Sequence, residues 1–193
     1  KKMGLRHVVI TSVDRDDLKG DFGASIWADT IKQTKKVNPG CTVEVLTPDF
    51  KGFEPALKIV FDSKPDIFSH NVECVERISK AVRAQANWQR SLGVLEKSIQ
   101  HGLRTKTGIM VGLGEEVEEV KKTMRQVVDL GVQIFTIGQY LQPTKNHLKV
   151  EEYISKEQFE LYKEYGYSIG FKVVESGPLV RSSYHADEQA RMV

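Results

Sequence analysis

The 193-residue chain carries 28 Lys and Arg against 26 Asp and Glu, a net charge of +2, and 40% of its residues are hydrophobic. That balance gives no reason to expect nucleic acid or a charged membrane surface as a partner, and no apolar run approaches the roughly 20 residues of a membrane span. No secretory leader opens the chain, and Cys41 and Cys74 lack C-x-x-C pairing, so they read as structural thiols of a cytoplasmic protein.

Six apolar runs rich in β-branched residues follow in order: His7–Ser12, Thr42–Leu46, Ile67–His70, Gly108–Val111, Ile134–Ile137 and Phe171–Val174. Runs this short and continuous suit strands covered on both faces of a parallel sheet. Helix-period segments separate them. Trp88, Leu92, Leu95 and Ile99 form one stripe behind Asn87 at an N-cap position. Val117, Val120, Met124, Val127 and Val128 form a second. Ser155 with Gln158 fits a capping box ahead of Phe159, Leu161 and Tyr162, and Gly131 and Gly170 fall just past helix ends. The alternation predicts right-handed βαβ units, built as a doubly wound sheet or a (β/α) barrel.

Each apolar run ends in a polar or glycine-bearing segment: Thr11–Asp17, Thr47–Phe50, His70–Glu73, Gly112–Glu115 and Gly138–Pro143. In parallel α/β folds the C-terminal strand ends meet on one face, so five such segments favour a barrel with one shared site. Every segment also has a structural reading. Thr11–Asp14 could cap and turn the chain, and Asn71 and Glu73 could cap a following helix. Functionally, Asn71 and Glu73 are an amide and a carboxylate able to hold a ribose diol. Gly112-Leu113-Gly114-Glu115 lacks the third glycine of a dinucleotide fingerprint and suits a tight turn beside a flat ligand. No histidine pair has metal-ligand spacing, and Asp14, Asp16 and Asp17 surround Arg15 as a solvated turn would. Residues 177–193 read as a frayed end or as a tail anchored by Leu179, Val180 and Tyr184.

The stretches VVITSVDRDDL, VEVLTPDF, HNVE, TKTGIMVGLGE, TIGQYLQPT, HLKVEEYI and SGPLVRSSYHADEQA, in this order, resemble the lipoyl synthase family of radical-SAM enzymes across nearly the whole chain. The resemblance implies an α/β fold: a partial (β/α)6 radical-SAM barrel with a parallel sheet, the family's first strand missing, over residues 1–176, and a tail over 177–193 packing toward the site. It implies S-adenosylmethionine and two 4Fe–4S clusters. One cluster, on a C-x3-C-x2-C loop, cleaves S-adenosylmethionine to a 5′-deoxyadenosyl radical. That radical takes hydrogens from C6 and C8 of an octanoyl-lysine, and the auxiliary cluster is consumed as sulfur donor. The implied partners are an octanoylated lipoyl carrier domain (of a 2-oxoacid dehydrogenase or the glycine cleavage H protein) and an electron donor.

By the same resemblance, Asn71 and Glu73 match the ribose-binding pair. Ser12 and Asp14 lie toward the methionyl end, Arg83 toward the carboxylate, and Lys106 is a further polar contact. Gly112, Leu113, Gln139 and Tyr140 fit the adenine side, and Ser183 matches an oxygen ligand of the auxiliary cluster. The family's cysteine motifs precede the point where this chain begins, so the chain alone is expected to be inactive and to expose a strand edge. Cys74 stands where the family has Thr, and Asp21-Phe22-Gly23-Ala24 loosens a DGGA stretch. Three alternatives are a biotin-synthase-like enzyme, a non-catalytic barrel that holds the carrier (with Lys145, Lys149 and Arg181 steering an acidic surface), and a hydrolytic barrel. The last finds no supporting triad or metal cluster.

Overall fold

A computed structural model describes residues 2–85 and 87–193. All six apolar runs become strands: β1 His7–Thr11, β2 Thr42–Leu46, β3 Ile67–Ser69, β4 Thr105–Val111, β5 Ile134–Gln139 and β6 Val173–Gly177. They pair in parallel in the order β1-β2-β3-β4-β5-β6. Consecutive parallel neighbours require crossovers on one side, so the helices form a single outer layer and the inner face is concave. Among the described residues β1 and β6 each pair on one edge only, so the barrel is open.

The crossover helices are α1 Ala24–Val37, α2 Glu54–Asp62, α3 Ser79–Val82, α4 Trp88–Gln100, α5 Val117–Asp129 and α6 Lys156–Ser168, and α7 Ala186–Met192 ends the chain. Local chemistry sets their ends. Asn87 accepts from the Arg90 amide and Ser155 from the Gln158 amide. Glu116 and Glu119 form a reciprocal capping box on α5. Gly131 and Gly170 take left-handed backbone just beyond α5 and α6. Two strands start away from their apolar runs. β4 starts three residues early, at the polar stretch Thr105–Thr107, and β6 starts two residues late. Phe171 is used ahead of β6, its ring 5.1 Å from Phe135.

Strand side chains alternate between helices and interior. Val8, Ile10, Val43, Val45 and Phe68 pack outward on Trp27, Ile31, Leu57, Val60 and Phe61. Ile109, Val111, Phe135, Ile137 and Val174 pack outward on Leu95, Val120, Met124, Val127, Phe159 and Tyr162. The inward positions are different in kind. Lys106 and Glu44 are fully buried with Nζ 2.9 Å from Oε1, and His7 Nε2 lies 3.5 Å from the other Glu44 oxygen. These atoms stand at ion-pair distance but off the hydrogen-bond direction, and Ser69 Oγ beside them has no partner among the described residues. Below, Ile67, Ile134 and Val173 form an apolar floor on which Ala190 of α7 and Val193 pack.

The tail therefore crosses the concave face. It leaves β6 at Gly177, turns with the Val180 amide on the Gly177 carbonyl, and descends to α7, which packs against β1. The Val180 carbonyl sits where a Cβ on Gly138 would lie, so this crossing needs glycine at 138.

Breaking the buried ion pair is expected to cost more than removing it. Lys106→Met leaves a buried carboxylate without its cation and should destabilise by about 3–5 kcal/mol, whereas Lys106→Met with Glu44→Leu should recover most of that loss. Urea denaturation of the parent and both variants measures this; a double variant no more stable than the single one would contradict it.

Candidate functional site at the strand ends

Parallel order brings the ends of all six strands to one rim, and a cleft of about 190 Å³ opens inside it. Its walls are Asn71 and Glu73 after β3, Gly108–Met110 of β4, Thr136, Gly138 and Gln139 of β5, and Leu141, Val180, Arg181 and Ser182. Two inward positions are glycine. A Cβ at 108 would strike Thr136, and one at 138 would strike the tail. The sheet thus presents bare backbone where a flat group could lie.

The segment after β3 is held tightly. Thr107 Oγ1 donates to the His70 carbonyl at 2.7 Å and accepts from the Val72 amide. Glu73 extends the pairing onto β4: its amide reaches the Gly108 carbonyl at 3.2 Å and its carbonyl accepts from Met110 at 2.8 Å. It does so with φ of 71°, a left-handed conformation rare for glutamate. Burial pushes the Glu73 carboxyl above the ordinary range, while Arg83 and the Asn71 amide pull it back. Asn71 Oδ1 is buried with no partner among the described residues. An orphan acceptor beside a costly carboxyl is what a polar ligand would satisfy.

Around this centre a second ring forms. His70 is buried and held neutral by burial, with Nδ1 on the Thr47 carbonyl at 3.0 Å and Nε2 on Ser91 Oγ at 3.1 Å. Asp49 binds Arg90 Nε at 2.7 Å, and Arg83 Nη2 stands 3.9 Å from the same oxygen. Sequence reading placed Asp49 and Gly138 in strand-end segments without singling them out, and missed Arg90 and Gly108. The available signal was positional, since α4 follows β3 and its first turn must therefore face the rim.

The expected site residues do not all converge. Asn71 and Glu73 share the cleft with the backbone of Gln139. Arg83 adjoins Glu73 across a gap of about 10 Å³. Asp14 lies close enough to influence the charge of both His70 and Glu73. Ser12 lines a different cleft, about 270 Å³, between β1 and α1 with Ile10, Ile26 and Trp27. The acidic turn is internally paired, Arg15 to Asp17 at 2.7 Å and Asp16 to Lys51 at 3.4 Å.

Strand alternation sends Lys106 inward beneath the cleft to Glu44, so its ammonium is already engaged there. The residues expected on the adenine side are engaged within the fold. The amides of Gly112 and Leu113 are both taken by the Glu115 carboxylate, and Leu113 and Tyr140 are buried in the core. The Gln139 amide clamps the chain at Tyr140, Glu152 and Ile154, and the Tyr140 hydroxyl donates to the Leu148 carbonyl. Ser183 lies exposed in the turn after Arg181, next to Ser182 of the cleft wall.

No group of three or more His, Cys, Asp or Glu fit to hold a metal ion occurs among the described residues. Cys41 and Cys74 are buried, and burial pushes the Cys74 thiol up to about 12, far from the thiolate that iron requires. Among the described residues, the chain's own side chains therefore do not fit a 4Fe–4S cluster.

Comparison with known proteins agrees with this geometry. The Radical SAM superfamily model matches residues 1–127. A lipoyl synthase of Rubrobacter xylanophilus is 57% identical over 98% of this chain and 59% of its own length. One of Bacteroides thetaiotaomicron is 52% identical over 98% of this chain and 67% of its own length. The chain thus spans about three fifths to two thirds of these relatives. The crystal structure of methylornithine synthase superposes with a TM-score of 0.66 at 11% identity, covering 94% of this chain and 60% of that one, a likeness of fold. The chain belongs to the radical SAM superfamily and, within it, to the lipoyl synthase family.

Proposed function

We propose that the chain forms the S-adenosylmethionine-binding barrel of a lipoyl synthase, the activity that inserts two sulfur atoms at C6 and C8 of an octanoyl-lysine on a lipoyl carrier domain. The observation that carries this reading is 57% identity across 98% of the chain to a protein named for that activity. Unactivated C–H bonds offer no acidic proton, so acid–base residues alone have nothing to act on. S-adenosylmethionine, when bound and reductively cleaved, supplies the hydrogen-abstracting chemistry.

The residues present suit the parts of that ligand. Glu73 and Asn71 would hold the ribose diol, the carboxyl accepting and Oδ1 gaining its missing donor. The bare strands at Gly108 and Gly138 would face the flat base, with backbone rather than the engaged side chains of Gln139 and Tyr140 making contact. Arg83 would meet the carboxylate through a charge-assisted pair. The tail between Val180 and Ser182 would wall the cleft against water. A radical-generating and a sulfur-donating cluster would draw their cysteine ligands from outside this chain, and no step is assigned through them. Lys145 and Lys149 are exposed beside the rim segment 141–150, where they would steer an acidic carrier domain in the cytoplasm. No helix among the described residues is long and apolar enough to cross a membrane.

Three outcomes follow. Joined to the remaining part of the Rubrobacter xylanophilus relative and reconstituted anaerobically, the chain is expected to convert an octanoylated carrier protein to the lipoylated form. Mass spectrometry of the carrier reads the result, and a cluster-loaded chimera that consumes S-adenosylmethionine yet leaves the octanoyl chain unmodified would contradict the reading. In the same chimera, Ser183→Cys is expected to lower sulfur transfer, because a thiolate holds iron more firmly than a hydroxyl; an undiminished lipoyl yield would refute a ligand role.

Glu73→Gln separates binding from stability. A carboxyl whose value is raised by folding contributes stability at low pH and loses it as pH rises through the raised value. The glutamine variant is therefore expected to be more stable than the parent at pH 7, with the gap closing toward pH 4, while binding S-adenosylhomocysteine about tenfold more weakly. Thermal melts across pH together with calorimetry test both halves; a variant less stable at pH 7 would contradict the first.

A further inference from the structure

Asp49 lies in the turn after β2, Arg90 in the first turn of α4, and Arg83 in the segment between α3 and α4. None follows from its neighbours in sequence, yet all three meet at one carboxylate oxygen. Arg90 Nε donates to Asp49 Oδ2 at 2.7 Å, while Oδ1 accepts from the Lys51 amide at 2.9 Å. Arg90 Nη2 also donates to the Gln85 carbonyl at 3.1 Å, gripping the segment that carries Arg83. The aliphatic stem of Arg90 lies where a Cβ on Gly52 would meet it at 3.2 Å, so glycine at 52 leaves room for the arginine. Arg83 itself stands 3.9 Å from Asp49 Oδ2, inside ion-pair range but beyond a hydrogen bond.

Two guanidinium groups thus face one carboxylate. Burial alone would raise the Asp49 carboxyl, but the Lys51 amide and Arg90 outweigh it and keep it below the ordinary range, so the anion is firmly ionised. His70 adds a smaller pull in the same direction, although burial lowers its own value. Arg90 commits Nε to Asp49 and Nη2 to the Gln85 carbonyl. Arg83 is tethered by charge, makes no side-chain hydrogen bond among the described residues, and shares a small pocket with Glu73, which also lines the cleft. A guanidinium held in place but not saturated is prepared for a planar anion arriving with a ligand.

We propose that Asp49 and Arg90 are positioning residues: together they fix Arg83 at the rim so that it selects ligands bearing an α-carboxylate. This rests on the reading of the cleft as the S-adenosylmethionine site and adds the element that discriminates the amino-acid end. Neither residue touches the ligand, and both act through Arg83.

Two nucleoside thioethers isolate the effect, S-adenosyl-L-homocysteine with a carboxylate and 5′-methylthioadenosine without one. Calorimetry on the chain is expected to show Asp49→Asn and Arg90→Gln each weakening S-adenosyl-L-homocysteine about tenfold while leaving 5′-methylthioadenosine within about twofold. In an Arg83→Gln background, Asp49→Asn should have little further effect, the non-additivity of residues acting as a unit. Equal weakening of both compounds, or an undiminished effect of Asp49→Asn without Arg83, would overturn the proposal while leaving the cleft assignment intact. A parent chain that binds neither compound would overturn both. Arg90→Lys, which keeps the charge but cannot span Asp49 and Gln85 together, is expected to behave as Arg90→Gln does.

Discussion

Inside the open barrel Lys106 faces Glu44, with His7 and Ser69 beside them, and none of these groups reaches water. Most small barrels fill their interiors with branched apolar side chains. Here the period-two alternation of the strands sends charged, hydroxyl and glycine positions inward above a small apolar floor, and turns most apolar ones to the helices. The consequence is a layered interior: an apolar floor at Ile67, Ile134 and Val173, a charged layer at Glu44 and Lys106, and a glycine-floored cleft at the rim. Buried charge is expensive, so its partners must stay in register, and register is what brings the strand ends to one height.

That register explains why the site is assembled from so many places in the chain. Asn71 and Glu73 are set against β4 by Thr107 and by the left-handed turn at Glu73. α4 is tied to the ends of β2 and β3 twice, by Arg90 on Asp49 and by His70 on Ser91. The tail then crosses the concave face and makes the fourth wall, which helps account for a cleft of about 190 Å³ where small-molecule sites commonly start near 300 Å³. A ligand of nucleoside size would need Val180–Ser182 to shift outward, while α7 remains anchored on the floor.

The sequence made some of this legible and not the rest, for physical reasons. The strands announced themselves because their helix-facing residues are β-branched, and Asn87 and Ser155 because capping is local chemistry. The polar start of β4 was missed since Thr105, turned outward to Ser98 of α4, and Lys106, turned inward to Glu44, lack the apolar signal. Lys106 was expected as a polar contact from the family resemblance, which does not reveal its ion pair with Glu44. Gln139 and Tyr140 carried attractive side chains, but their amide and hydroxyl are used on the segment 148–154, a long-range match that no local pattern reveals. The pairing of Asp49 with Arg90 was invisible for the same reason. The motif Asn71-x-Glu73 could be recognised only because the segments around it resemble a known family.

Backbone NMR of the isotopically labelled chain, titrated with S-adenosyl-L-homocysteine, examines the central claim that the strand-end cleft is the ligand site. The account predicts saturable amide shifts centred on Asn71, Glu73, Gly108, Met110 and Gly138. Shifts confined to the Gly112–Glu115 turn or to the cleft of Ile10 and Trp27, with the residues around Glu73 unmoved, would contradict it.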